Sequence, residues 1–140
     1  MKKKDLFRTL NFADRHLVIE LAGQISDKYD VAVLKQPQKT LVMLKMRESA
    51  QSSLFYAGEA VACECMVQID EKKGFASSLG DDLEKVFAMA VIDAALNAKL
   101  SECGQISDAL NAWEEELNSQ RKLEAEITMS TKVNFNIMEE

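Results

Sequence analysis

From Val86 to Leu96 every residue except Asp93 is apolar. A helix on a protein surface carries one apolar stripe, whereas a helix apolar nearly all round must be covered on more than one side. This segment therefore lies under other elements of its own chain or against a partner. Its surplus apolar sides predict an exposed patch, and self-association when a partner is absent. The residues just upstream read as a sheet for it to pack on. Phe55, Ala57, Val61, Cys63, Cys65, Val67 and Ile69 recur at every second position, the period of a strand, and Glu59 is the only charge among them. A turn at Asp70 to Gly74 leads into a returning strand, Phe75 to Leu79. Asp81, with Glu84 three residues on, then has the capping-box spacing that opens a helix.

The N-terminal part reads as two helices, from Leu6, Phe7 and Leu10 and then Leu17, Val18, Leu21, Ala22 and Ile25 at three-and-four spacing. Val31 to Lys35 and Leu41 to Met46 are β-prone and flank Gln36-Pro37-Gln38-Lys39, where proline's fixed φ suits a turn. The expected architecture is α+β. It comprises a four-stranded antiparallel sheet, two N-terminal helices, a buried helix after the sheet, a further C-terminal helix and an extended tail. The last helix carries Ile106, Leu110, Trp113 and Leu117, and its stripe fades toward Glu124. A single α+β domain over residues 1–128 with an extended arm over 129–140 follows. In that arm Val133, Phe135 and Ile137 alternate with Lys132, Asn134 and Asn136. This pattern suits a strand added to the edge of a partner's sheet.

With 23 acidic against 17 basic residues the formal charge is −6. An acidic chain without a basic stripe is a poor nucleic-acid binder, because such binding rests on phosphate neutralisation. The apolar run is too short to span a bilayer. Asp5, Arg8, Asn11 and Asp14 interrupt anything resembling a signal-peptide core, so the cytoplasm is expected. Cys63 and Cys65 share one strand face, a poor disulfide geometry, and read as buried small hydrophobes rather than half of a metal site. His16 is the sole histidine. No P-loop, dinucleotide fingerprint or nucleophile–base pair is present. The chain alone is expected to hold no catalytic residue, metal or cofactor.

Four residues stand out as candidates for a subunit- or substrate-facing role. Glu59 is either turned to solvent at a bulge beside Gly58 or an anchor at such a surface. Gly58 marks a bulge or a close approach. Asp93, a carboxylate in an apolar helix, needs a solvated edge, a strand's backbone or a cation such as Arg47.

Phe55-Tyr56-Ala57-Gly58-Glu59-Ala60, Gly74-Phe75, Leu79-Gly80-Asp81, Ala90-Val91-Ile92-Asp93-Ala94-Ala95 and the tail Thr131 to Met138 together resemble the PhnG family, the G subunit of the bacterial carbon-phosphorus lyase core complex. The order and spacing hold from about Leu34 to the C-terminus. One segment departs from the family pattern. The family's loop before the long strand, Gly-Arg-x-Gly-Gly-Thr-Gly, is replaced by Lys45 to Ser53, in which only Arg47 corresponds. A backbone contact to phosphate by that loop is therefore not carried over.

The resemblance implies an accessory subunit of the transferase α-D-ribose 1-methylphosphonate 5-triphosphate synthase. That reaction displaces adenine from MgATP, the substrate of the complex, by methylphosphonate; the carbon-phosphorus bond is broken later in the pathway. It further implies H, I and J subunits and the L protein as partners, with two copies of the chain per complex. A non-catalytic scaffold or interaction module of another cytoplasmic complex is the alternative.

Overall fold

A computed structural model describes residues 1–132; Val133, Phe135 and Ile137, the anchors of the expected arm, lie outside the described residues. The order of elements is α1 (Lys3–Phe12), α2 (Arg15–Lys28), β1 (Ala32–Arg47), β2 (Leu54–Ile69), β3 (Lys72–Leu79), α3 (Leu83–Ala98) and α4 (Cys103–Thr131). The sheet is antiparallel, in the order β1-β2-β3. The four-helix content agrees with the sequence reading.

Among the described residues the sheet has three strands, not the expected four, because Pro37 does not end a strand. β1 runs through it and pairs with β2 from Ala32 to Arg47. The register slips between Lys35 and Gln38, leaving Gln36 and Pro37 without partners on β2. Since β1 is an edge strand, a proline at a bulge costs no ladder hydrogen bond. The β2–β3 turn is also tighter than expected. Asp70 and Glu71 both take positive φ, 46° and 62°, the signature of a two-residue hairpin turn, so β3 begins at Lys72 and Gly74 lies within it.

Gly74 is where helix meets sheet. A Cβ there would stand 2.3 Å from the Ala90 carbonyl oxygen and 2.3 Å from the Ala94 nitrogen, so the bare backbone lets α3 rest directly on β3. Cys63, Cys65, Val67, Ile69 and Ala76 line the sheet face under α3, all buried. Val18, Ala22 and Ile25 of α2 pack into the same core, with Leu6 and Leu10 of α1 and Ile106 and Leu110 of α4. From Ala88 to Ala95 every residue of α3 is buried. The chain thus covers this helix with its own elements, and each fully buried aliphatic side chain contributes about 1.5 to 3 kcal/mol.

The cap of α3 is Asp82 rather than Asp81: its carboxylate accepts the Lys85 N–H at 3.0 Å. Its other oxygen accepts Arg15 Nε at 2.8 Å, while Arg15 Nη2 also donates to Glu84. The side chain of Lys85 reaches the carboxyl end of α1, donating to the carbonyls of Asn11 at 2.8 Å and Ala13 at 2.9 Å, where a cation complements the helix dipole. These bonds tie the start of α3 to the end of α1.

Candidate functional site: a two-stranded arm

The third strand pairs with β2 only from Ala62 to Ile69. Gly80 closes that end by donating its N–H to the Val61 carbonyl, and the chain then turns into α3. Beyond this point β1 and β2 continue alone. Leu41 pairs with Val61, and pairing runs on to Arg47 with Leu54, giving a ribbon with no third strand, whose base at Val42 adjoins the end of α1. Seven residues at about 3.3 Å each project it roughly 23 Å.

The side chains on this ribbon are those of a core. Leu41 is 61% exposed, Met43 58%, Met46 53%, Phe55 47% and Tyr56 60%, with Leu44, Leu54 and Val61 also open. They fall on both faces, because neighbouring positions alternate sides. A lone two-stranded ribbon is marginal in water, and apolar residues on both faces together with free backbone edges make it a template for association.

A bulge sets how the arm presents its side chains. Leu44 pairs with Gly58 and Lys45 with Tyr56, so Ala57 is the extra residue and the phase of β2 changes there. Gly58 has φ 154°, a conformation disfavoured for side-chain-bearing residues. Phe55 consequently leaves the face that carries Cys63 to Ile69, contrary to the single uninterrupted face predicted from the alternation. At the tip, Arg47 Nη1 donates to the Ser52 carbonyl at 2.7 Å, and Glu48 accepts from the Gln51 N–H and the Ser53 hydroxyl. The segment Lys45 to Ser53 is thus closed on itself by its own polar groups.

The far half of α4 leaves the body at the same end. This helix runs back along α1: Arg8 pairs with Glu114 at 3.2 Å, and the Arg121 guanidinium stands 5.4 Å from the Phe12 ring centroid. Phe12 and Ala13 in turn adjoin Lys85 at the start of α3. Residues 122–131 continue past that level for about 15 Å, with Leu123, Ile127 and Met129 all more than half exposed. The arm and the helix end are two apolar prongs on one side of the molecule.

Across residues 1–139 the chain matches the sequence model of the family described as phosphonate metabolism protein PhnG. The chain belongs to the PhnG family. No curated protein matches it. Three of the PhnG motif segments fall in two places. Phe55 to Ala60 lies in the arm, while Gly74-Phe75 and Ala90 to Ala95 meet where α3 rests on β3. There Asp93 is 2% exposed and its Oδ2 accepts the Phe75 N–H at 3.1 Å.

Arg47, Gly58 and Glu59 therefore share the arm, and Asp93 belongs to the core. Arg47 is not the partner of Asp93; Lys3, 3.3 Å from its Oδ1, is the cation beside it. Glu59 lies exposed on the arm across from Met43. Sequence reasoning missed the arm as a surface, although the run Leu41-Val42-Met43-Leu44, apolar on both strand faces, was its signal.

Burial makes Cys63 and Cys65 poor nucleophiles. The Cys65 thiol is pushed up to about 11 by burial, and that of Cys63 is raised by burial and by Asp82. His16 is exposed near the N-terminus of α2. The described residues hold no cluster of three His, Cys, Asp or Glu side chains, and no helix among them is long and apolar enough to cross a membrane.

Proposed function

We propose that this PhnG-family chain is an accessory subunit of the carbon-phosphorus lyase system that acts through protein contacts. It supports the displacement of adenine from MgATP by methylphosphonate to give α-D-ribose 1-methylphosphonate 5-triphosphate. The single observation that carries this reading is the two-stranded arm, which offers apolar surface on both faces and contains a PhnG motif. Its docking partners are the H, I and J subunits, with the L protein joining for the reaction and two copies of the chain in the assembly.

Two polyanionic substrates need cations, metal or helix N-termini around them, and an acidic chain with dispersed bases is ill suited to supply these alone. Its contribution is to shape and cover the I-subunit pocket so that phosphonate rather than water attacks the sugar. Single-turnover product analysis of the I-containing assembly with and without this chain tests the role. Omission should raise the proportion of free ribose triphosphate relative to the phosphonate product; an unchanged proportion would overturn the water-exclusion role. Co-expression with I and H partners tests the docking, which requires a stable complex on size analysis.

A further inference from the structure

A second feature lies at the opposite end of the molecule from the arm. There the first turn of α1 crosses the last turns of α3 and the first turns of α4, enclosing a cavity of about 280 Å³. Leu6, Leu96 and Leu110 form apolar walls, and Asp93 lies among the lining residues. Its carboxylate is 2% exposed and unevenly satisfied. Oδ2 accepts the Phe75 N–H at 3.1 Å, the Asn97 side-chain amide at 3.3 Å and the Lys3 ammonium at 3.5 Å. Oδ1 is buried and accepts no hydrogen bond among the described residues.

Lys3 partly neutralises this charge and donates to Oδ2 without satisfying Oδ1. Its ammonium stands 3.3 Å from Oδ1, off hydrogen-bond geometry, on a side chain that is 64% exposed. A buried acceptor with an unmet lone pair is costly, and it favours any donor that can enter.

We propose that this pocket binds a primary alkylammonium group, with Asp93 Oδ1 as its anion and Lys3 as a weak internal stand-in. The chemistry of the pocket selects that class. A guanidinium is best held by two free carboxylate oxygens in a fork, and Oδ2 is already engaged. A hard divalent cation needs six or more oxygen ligands, whereas one carboxylate oxygen is free. An ammonium makes single-point donor contacts. Ser107 and Asn111, which also line the cavity, offer acceptors for its remaining N–H groups, and the leucine walls suit an alkyl stem.

The test uses the full chain, labelled for backbone amide NMR, because the Phe75 N–H reports directly on the Asp93 carboxylate. Titration with n-butylammonium chloride should shift the Phe75 and Asn97 signals saturably. Tetramethylammonium chloride, which has no N–H, should not do so at equal ionic strength. Lys3→Ala should tighten butylammonium binding by up to about fivefold, the strength of a partly exposed ion pair. Asp93→Asn should weaken it at least tenfold. Ser107→Leu narrows the pocket while leaving the carboxylate in place, and should abolish binding in a natively folded chain even if Asp93→Asn does not fold. An equal response to both salts, or undiminished binding in a folded Asp93→Asn or Ser107→Leu variant, would overturn the proposal. Adding Nα-acetyl-lysine methylamide separates the sources: binding as strong as that of butylammonium assigns the pocket to a protein lysine, and binding of butylammonium alone assigns it to a free amine.

Discussion

Because a Cβ on Gly74 would lie 2.3 Å from backbone atoms of both Ala90 and Ala94, Gly74→Ala must lift α3 off β3 or bend the strand away. Neither neighbour is a flexible side chain that can yield. Overpacking of this kind costs about 1 to 3 kcal/mol or more, which chemical denaturation should show as a lower midpoint at an unchanged slope. Glu102 predicts an acid dependence. Hydrogen bonds from Tyr29 at 2.7 Å and Lys28 at 3.0 Å, with Ser101, hold its carboxyl down at about 2, against an ordinary 4.5. Between those values the unfolded chain binds the extra proton, so the stabilisation is complete above pH 4.5 and is lost as the pH falls through about 2. Melting scans of the chain and of Glu102→Gln should therefore differ at neutral pH and converge toward pH 2. Equal separation at all pH values would show that the three donors do not favour the ionised form.

At the level of elements, exposure separates association from stability in the arm. Leu41 and Phe55 already face water, so Leu41→Ser and Phe55→Ser should each change the unfolding free energy of the isolated chain by no more than about 0.5 kcal/mol. If the arm seats in a partner, the same changes remove apolar anchors of the kind that contribute about 2 kcal/mol or more, and co-purification with the I-type subunit should fall at least tenfold. Retained assembly would place the interface elsewhere. The helical elements were legible in the sequence because their periodicity depends on the chain's own core: α3 is apolar all round, and it is covered all round. The sheet was less legible. Pro37 reads as a turn unless the strand is known to be an edge, and the phase change at Ala57 depends on pairing with Leu44 and Lys45, a long-range fact. Arg47, Gly58 and Glu59 were picked out individually, but alternation alone does not reveal that β3 stops at Leu79, opposite Ala62, and leaves their ribbon without a third strand. Asp82 replaced Asp81 as the cap because Arg15, distant in sequence, engages the carboxylate of Asp82.

For the molecule as a whole, placing both apolar prongs at one end makes association polar and saturable rather than diffuse. The expectation that an apolar helix would supply the sticky surface gives way to a different source: α3 is enclosed, and the arm and the end of α4 are open. Two forces then oppose each other in the isolated chain. Apolar surface on the prongs favours pairing, and a net charge of −6 on each copy opposes it. Salt weakens only the second, since screening shortens to about 3 Å at 1 M. Sedimentation velocity should therefore show self-association that strengthens from low to high salt. Placing charge on the ribbon with Met43→Lys and Tyr56→Lys should restore a monomer at both salt concentrations without lowering the melting temperature by more than a few degrees. If the I-type partner docks on the arm, adding it should compete with self-association in the unmodified chain. A chain that sediments as a monomer at high concentration and high salt would show that the arm is not sticky in isolation. Self-association untouched by the paired lysine substitutions would move the contact off the arm, to the end of α4 or elsewhere.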